Sequence, residues 1–389
     1  RSGQAGGHPE RGPGVSAASS RYRGGTDLAA VVLVVAAAAG ASRPSGLPVA
    51  LGAVLAAVAL GIRRPLLLAA AVGLLASALG GRAVAGLRPA PAGPVRGAAV
   101  LVSDPQRGAG GVRAIARLGH RRVELHASAA PGDRLARALA GQRVQLQGTR
   151  HPLGASARAR LAEHHVADAV EVADARVGGA ADPVAAAANG FRRTLVRGAA
   201  SLSGPRRALF LGLVLGDDRD QDPAEVEDFR ASGLTHLLAV SGQNVAFALA
   251  VAAPLLSRLA LRPRLVAALG VLVFFGVLTR WEPSVLRAAA MAAVTLLAAA
   301  AGRPASTLRV LALSVTVILL IDPLLVRSLG FRLSVAACLG LALLSAPLTR
   351  RMPAPLAVTL AAQAGVAPVM IPAFGPMPLA AVPANLLAV

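Results

Sequence analysis

The sequence predicts a mainly α membrane protein: a polytopic helical bundle with a small β-rich soluble domain inserted between two groups of spans. Two observations carry this. The 389 residues are 55% hydrophobic and only 15% charged, and the apolar residues gather in long, nearly charge-free runs, which at about 18 residues read as membrane helices. Between 88 and 198 the pattern changes to short apolar stretches alternating with Arg, Gly, Asp and His, as half-buried strands do.

All 40 basic residues are Arg, and the net charge is +21. Arg collects in cytoplasmic loops, and the remaining excess suits a phosphate backbone. Cys338 is the only cysteine, so an intrachain disulfide and a Cys-based metal site are excluded; within its apolar run it reads as a small buried hydrophobe. The chain opens at Arg1 and stops at Val389 inside an apolar run, which suggests a segment of a longer reading frame.

Residues 1–26 are rich in Gly, Ser, Pro and Arg and read as a disordered tail, too polar to bury a core. Residues 27–87 hold three N-terminal spans, at 27–42, 47–62 and 65–85, joined by Arg43-Pro44-Ser45-Gly46 and by Arg63-Arg64-Pro65. Residues 88–198 form the soluble domain. Its strands are Gly97–Ser103, Val112–Leu118, Arg121–Ala127, Arg143–Gln147 and Val166–Val172, with a helical turn near Arg134–Ala140. Five short strands and one helix suit a Greek-key barrel of the OB type.

Residues 199–232 read as an amphipathic bridge. It has a helix at Arg206–Leu215, an acidic turn from Gly216 to Pro223, and a surface helix Ala224–Ala231 with carboxylates near its N-terminus. Residues 233–389 hold the second bundle, with spans at 233–256, 265–281, 284–301, 307–325, 329–348, 355–374 and a last one from 377.

Orientation follows from loop arginines. Loops 257–264, 302–309 and 349–354 carry Arg258, Arg262, Arg264, Arg303, Arg309, Arg350 and Arg351, whereas the alternate loops are nearly neutral. The Arg-rich set is predicted to be cytoplasmic, with the N-terminus and Arg63-Arg64. The β-rich domain then lies outside the cell membrane.

Polar side chains inside spans are costly and mark pathways or buried interfaces. On a continuous helix over 233–256, at about 100° per residue, Gln243 falls near His236 and Asn244 lies about 80° away, with Ser241 in reach of Asn244. This stripe suits either a hydrophilic path or interhelical hydrogen bonding. Ser241 and His236 point about 140° apart on such a helix, which is poor geometry for a nucleophile and its base. Arg287 sits a turn into its span, where it either meets an anion or a carbonyl, or snorkels. Arg332, Gln363 and Asn385 extend the polar set.

Glu163, His164, His165 and Asp168 have metal-binding residue types, but adjacent histidines on a strand face opposite ways; the expected reading is a solvated surface, with no metal or other cofactor. The soluble domain has no Phe, Tyr or Trp between Gly97 and Ala180, so the usual stacking platform for single strands is missing. Arg113, Arg117, Arg121, Arg122 and Arg143 offer a phosphate-tracking surface or simply an ordinary basic one.

Phe229-Arg230-Ala231-Ser232-Gly233-Leu234-Thr235-His236-Leu237-Leu238-Ala239-Val240-Ser241-Gly242 resembles the core signature of ComEC-type competence proteins. Gly216-Asp217-Asp218-Arg219, Pro283-Ser284-Val285-Leu286-Arg287-Ala288, Asp322-Pro323-Leu324, Phe331-Arg332-Leu333-Ser334, Leu360-Ala361-Ala362-Gln363 and Asn385-Leu386-Leu387-Ala388-Val389 follow in the family's order. The family often has His where Asn244 stands and Gln where Arg332 stands.

The resemblance implies a channel that passes single-stranded DNA across the cell membrane during transformation. His236, Ser241, Gln243, Asn244, Arg287, Arg332 and Gln363 would line it. The implied partners are single-stranded DNA, the lipid bilayer, a DNA receptor, cytoplasmic DNA-translocation proteins and further copies of the chain. Larger members carry a nuclease domain whose HxHxDH motif is not in this sequence, so no enzymatic activity is expected. A small-solute or lipid transporter with a purely structural soluble domain is the alternative.

Overall fold

The computed structural model describes residues 14–388, except 109, 239, 241, 304, 377 and 379. The chain begins with α1 (Gly14–Ser42), α2 (Val49–Gly61) and α3 (Pro65–Gly86). Helix α1 starts well before the apolar run. This corrects the disordered-tail expectation for 14–26; residues 1–13 lie outside the described residues. No proline falls in α1, and extending an existing helix adds one hydrogen bond per residue fixed, so the polar stretch continues the apolar one at little cost.

Next comes a barrel. Its strands are β1 (Gly93–Leu101), the short β2 (Gln106–Gly108), β3 (Gly111–Leu118) and β4 (Arg121–Ala127); helix α4 (Ala129–Ala136) then leads to β5 (Gln142–Pro152), and helix α5 (Ala155–Leu161) to β6 (Val166–Ala180). The hydrogen-bonded order is β1-β5-β6-β4-β3-β2, and β1 also pairs with β3, which closes the ring. All pairs are antiparallel except β4 with β6. Setting β2 aside, this is the five-stranded OB topology.

Alternation built it. On β5, Val144 and Leu146 point into the core with Leu101, Val123, Leu125, Leu135 and Val170, while Arg143, Gln145, Gln147 and Thr149 point out. All five expected strands overlap observed ones. The last runs on to Ala180, because a bulge at Gly178-Gly179 carries the strand past Val177 to pair again at Gln142 and Ala180. Helix α4 begins five residues earlier than the expected turn. A second cluster of Leu153, Leu161, Val166 and Ala169, joined by Ile115, covers the outside of β3, β4 and β6 with α5.

The chain then forms α6 (Pro183–Gly198), α7 (Gly204–Leu215), α8 (Pro223–Ala231) and α9 (Thr235–Leu238), followed by α10 (Gly242–Leu256), α11 (Leu261–Leu278), α12 (Pro283–Ala300) and α13 (Thr307–Ile321). A 3₁₀ turn at Pro323–Arg327 precedes α14 (Leu329–Thr349), α15 (Ala354–Phe374) and α16 (Ala381–Ala388). Helix α6 bridges the parts: Asn189 donates to Ala140 O in the barrel, and Phe191 meets Phe274 of α11 edge-on at 6.1 Å. Among the described residues five helices are long and apolar enough to cross a membrane, namely α3, α11, α12, α14 and α15; the apolar part of α1, and α2, α10 and α13, are shorter. The protein is membrane-embedded.

The bundle has two distinct ends. Two of the Arg-poor loops meet the barrel, Arg280 through Asp104 and Asp322 through His165. Arg309, from an Arg-rich loop, instead pairs with Asp27 in α1 at 2.7 Å, and Ser306 bonds the same carboxylate. Among these three loops, the two Arg-poor ones lie at the barrel and the Arg-rich one packs on α1.

Helices α14 and α15 cross with backbones touching at Gly340 and Gly365; a Cβ on either would collide with the other helix's backbone. Small residues allow such close packing in bilayers. Gly340→Leu is expected to lower stability by about 1–3 kcal/mol, the usual cost of overpacking, as measured by unfolding in mixed detergent micelles. An unchanged transition would mean that the crossing has no energetic role.

Candidate functional site

The expected continuous helix over 233–256 is interrupted. Helix α9 ends at Leu238 and α10 begins at Gly242, with Val240 in non-helical backbone. The angular relation between His236 and Gln243 drawn from one helix therefore does not hold. The break is supported from outside the segment. Val240 is buried, packs against the turn at Gly216, and has its carbonyl bonded by Ser284 Oγ at 2.6 Å. These long-range partners replace the hydrogen bonds that a straight helix would supply. Irregular backbone within a bundle needs such satisfaction.

The N-terminus of α10 lies beside Arg287. A Cβ on Gly242 would sit 3.4 Å from Arg287 Nη2. Arg287 Nε donates to Ser334 Oγ at 2.6 Å, and Nη1 to Cys338 Sγ, both on α14. So Arg287 is held inward rather than snorkelling, and Cys338 is an acceptor as well as a packing residue. No carboxylate pairs with Arg287 among the described residues. A helix N-terminus carries roughly +0.5 charge. Two positive groups thus face each other across the glycine, and an anion would relieve them both.

The other predicted residues are more scattered. Asn244 donates to Leu213 O of α7, so it ties the start of α10 to the bridge. Gln243 and His236 are exposed, Arg332 is exposed in the first turn of α14, and Gln363 is half-buried midway along α15. None of these four hydrogen-bonds to Arg287. Asn385 bonds Ala381 O of its own helix. Ser241 lies outside the described residues.

Sequence reasoning missed a buried ionic hub beside this break. Asp104, in the β1–β2 loop, is 8% exposed. Its carboxylate accepts from Arg192 Nη1 of α6 at 3.2 Å, from Arg280 Nη1, and from Ala140 N at 2.7 Å. Arg192 also donates to Leu278 O, and Arg280 to the carbonyls of Leu215 and Gly216. One signal was legible: Arg192 shares a face of α6 with buried Ala185, Ala188 and Asn189, a charge on an otherwise buried stripe.

Next to it, Arg219 grips Asp217 with two bonds, at 2.7 and 2.6 Å, and reaches Ala138 O. Burial by itself would raise the Asp217 carboxyl, but the bonds and charge of Arg219, with Arg280 behind, hold it below the ordinary carboxylate range. Gly216, at φ +67°, caps α7 in the left-handed region that favours glycine.

The histidine cluster is not the solvated strand surface that was expected. Glu163 and His164 lie in a 3₁₀ turn, and His165 is left-handed and bonds Asp322 at 2.9 Å. Asp168 is 1% exposed and accepts from Ala90 N. The docking of barrel on helices, invisible locally, is the reason. No grouping of three or more metal-ligating side chains occurs among the described residues.

Of the barrel arginines, Arg121 and Arg122 are bonded to the carbonyls of Arg88 and His164. Arg113, Arg117 and Arg143 are exposed.

Barrel, interrupted helix and inward arginine define a polytopic membrane protein with a β-barrel domain fixed over one end of its bundle. Residues 213–389 match the family described as Competence protein. Over that stretch, from the end of α7 onward, the chain is similar to the competence family, which has a role in DNA uptake during transformation. No curated protein and no solved structure matches the chain.

Proposed function

We propose that this protein is a channel for single-stranded DNA in the cell membrane, and that the strand enters the bundle beside Arg287. The observation that carries the reading is the Arg287 guanidinium, without a carboxylate partner among the described residues, facing the N-terminus of α10. Interrupted helices whose positive ends face anionic cargo are a recurrent transport device. Helix α10 has 15 residues, about 22 Å at 1.5 Å per residue, and so is shorter than a bilayer's hydrocarbon core of about 30 Å. The break therefore lies within the membrane's thickness on the barrel side.

In this reading Gln243 and Asn244 flank the mouth, with His236 and Ser241 on the approach. Arg332 meets phosphate at the rim, and Gln363 offers a polar position farther down. The N-terminus and the Arg-rich loops are cytoplasmic, and the barrel is extracytoplasmic. A DNA receptor delivers the strand, and cytoplasmic translocation proteins pull it, since the chain has no phosphate-binding P-loop of its own.

The test is entry of labelled DNA into cells carrying the protein, the deletion, or Arg287→Ala at equal abundance. Arg287→Ala is expected to cut internal DNA about tenfold or more, as the loss of one charged hydrogen bond worth about 1.5–3 kcal/mol would, while surface-bound DNA persists. Undiminished entry in the deletion would sink the proposal.

A further inference from the structure

Building on the DNA-uptake reading, we infer that the single strand is received on the outer face of β1, β5 and β6, out to the seam where Arg117 at the end of β3 meets β1, and not on the β3–β4 face that OB barrels ordinarily use. The ordinary face is that of the second and third barrel strands, with the loops after the first and fourth; here these are β3, β4 and the segments around Asp104 and His165. In this chain that face is occupied. Leu153 and Leu161 cover Ile115 and Ala169. Glu124 is buried against His126 at 2.8 Å. Both loops are spent on the helical bundle, Asp104 on Arg192 and Arg280, and His165 on Asp322.

The opposite face is open. Register puts Val100 between Arg117 on β3 and Arg143 on β5, all pointing outward. Ala98 faces Gln145, which faces Arg176 on β6, and Arg96 faces Gln147. The four arginines and two glutamines are all exposed. Arg117 and Arg143 stand about 10 Å apart across one intervening strand, and Arg96 lies about 13 Å along β1 from Val100. These spacings exceed the screening length of about 8 Å in physiological salt, so each arginine meets phosphate on its own account rather than through a shared field. Asp174, the carboxylate opposite Gln147, is shared between Arg134 at 2.8 Å and Arg176 at 3.9 Å, so it offsets part of the charge at the Arg176 edge and leaves Arg96, Arg117 and Arg143 without a carboxylate partner among the described residues. Glu171 stands apart, opposite Thr149 toward the far end of β5.

A 310 Å³ depression beside Arg96, Gln147 and Thr149 adds relief to the surface. None of the hydrogen bonds or ion pairs between barrel and helical bundle uses these six side chains among the described residues. Guanidinium groups around a floor of amides fit a phosphate chain with unpaired base edges. Without aromatic stacking, binding there depends on charge and hence on salt.

The test is binding of a fluorescent single-stranded oligonucleotide to the full chain in neutral-lipid nanodiscs across salt concentrations. Arg96→Gln/Arg117→Gln/Arg143→Gln/Arg176→Gln should weaken binding about a hundredfold at low salt and flatten the log–log salt slope by about 3, as loss of four single-strand phosphate contacts would. Ala98→Asp, which adds one negative charge at an exposed position, should weaken binding with every arginine intact. Arg258→Gln/Arg262→Gln/Arg264→Gln, at the other end of the bundle, should change affinity by no more than about twofold.

Undiminished binding in the fourfold variant, or equal loss in the loop variant, overturns the inference. So does a wild-type chain that holds anionic vesicles by this face and no oligonucleotide. Binding through another face, with DNA uptake intact, removes this inference and leaves the channel reading standing. A chain that neither binds nor imports DNA removes both.

Discussion

Asp104→Ala is expected to loosen the barrel from the helical bundle and to lower stability by about 3–5 kcal/mol, the cost of removing one partner from a buried ion pair. Among the described residues Asp104 is the sole carboxylate bonded to Arg192 and Arg280, whose side chains are 5% and 10% exposed. Its loss strands two guanidinium groups that solvent barely reaches. They keep bonds to the carbonyls of Leu278, Leu215 and Gly216, but these neutral acceptors do not balance the charge. Ala140 N also loses its acceptor, at the turn that leads into β5. The measurements are unfolding in detergent and proteolysis at the linkers on either side of the barrel. Asp104→Asn keeps an acceptor in place without the charge and should fall between wild type and Asp104→Ala. A loss under about 1 kcal/mol would put the hub in the class of exposed pairs and deny it a role in holding the barrel.

That hub marks where local sequence information ends. Val112–Leu118 and Arg121–Ala127 were legible because alternation is a property of neighbours, and the observed strands differ from them by at most one residue. Long apolar runs gave the spans for the same reason. Asp104 lies in the loop between β1 and β2, and its two arginines are 88 and 176 residues away. The break between α9 and α10 was hidden similarly. The segment is apolar enough for a continuous helix, and what favours the break is Ser284, Gly216 and the surroundings of Val240. Residue types at the candidate site were readable from their cost in a membrane; which of them meet was set by helix packing. Arg287 is thus joined to Cys338, which its apolar run presented as a small buried hydrophobe, and not to Gln363.

Because Cys338 is the chain's only cysteine, it reports on that packing directly. A small anionic methanethiosulfonate applied from the barrel side is expected to react with Cys338 about tenfold faster than a cationic one of equal size. The thiol is partly accessible and in contact with Arg287. A charge at about 4 Å is worth up to ~4 kcal/mol at an effective dielectric near 20, and part of that survives at a wetted mouth. Arg287→Gln should abolish the preference while leaving a cysteine to modify, which separates charge from access. Single-stranded DNA added first should slow the reaction, since strand and reagent would compete for one cation. The mixed disulfide formed would leave a sulfonate beside Arg287, so modified cells should import less DNA than untreated ones, and a reductant should restore entry. A cysteine that reacts without regard to reagent charge, or as fast with DNA present, would return Arg287 to a helix-packing role. Equal reactivity from the barrel-free side would deny the mouth its location at the barrel end.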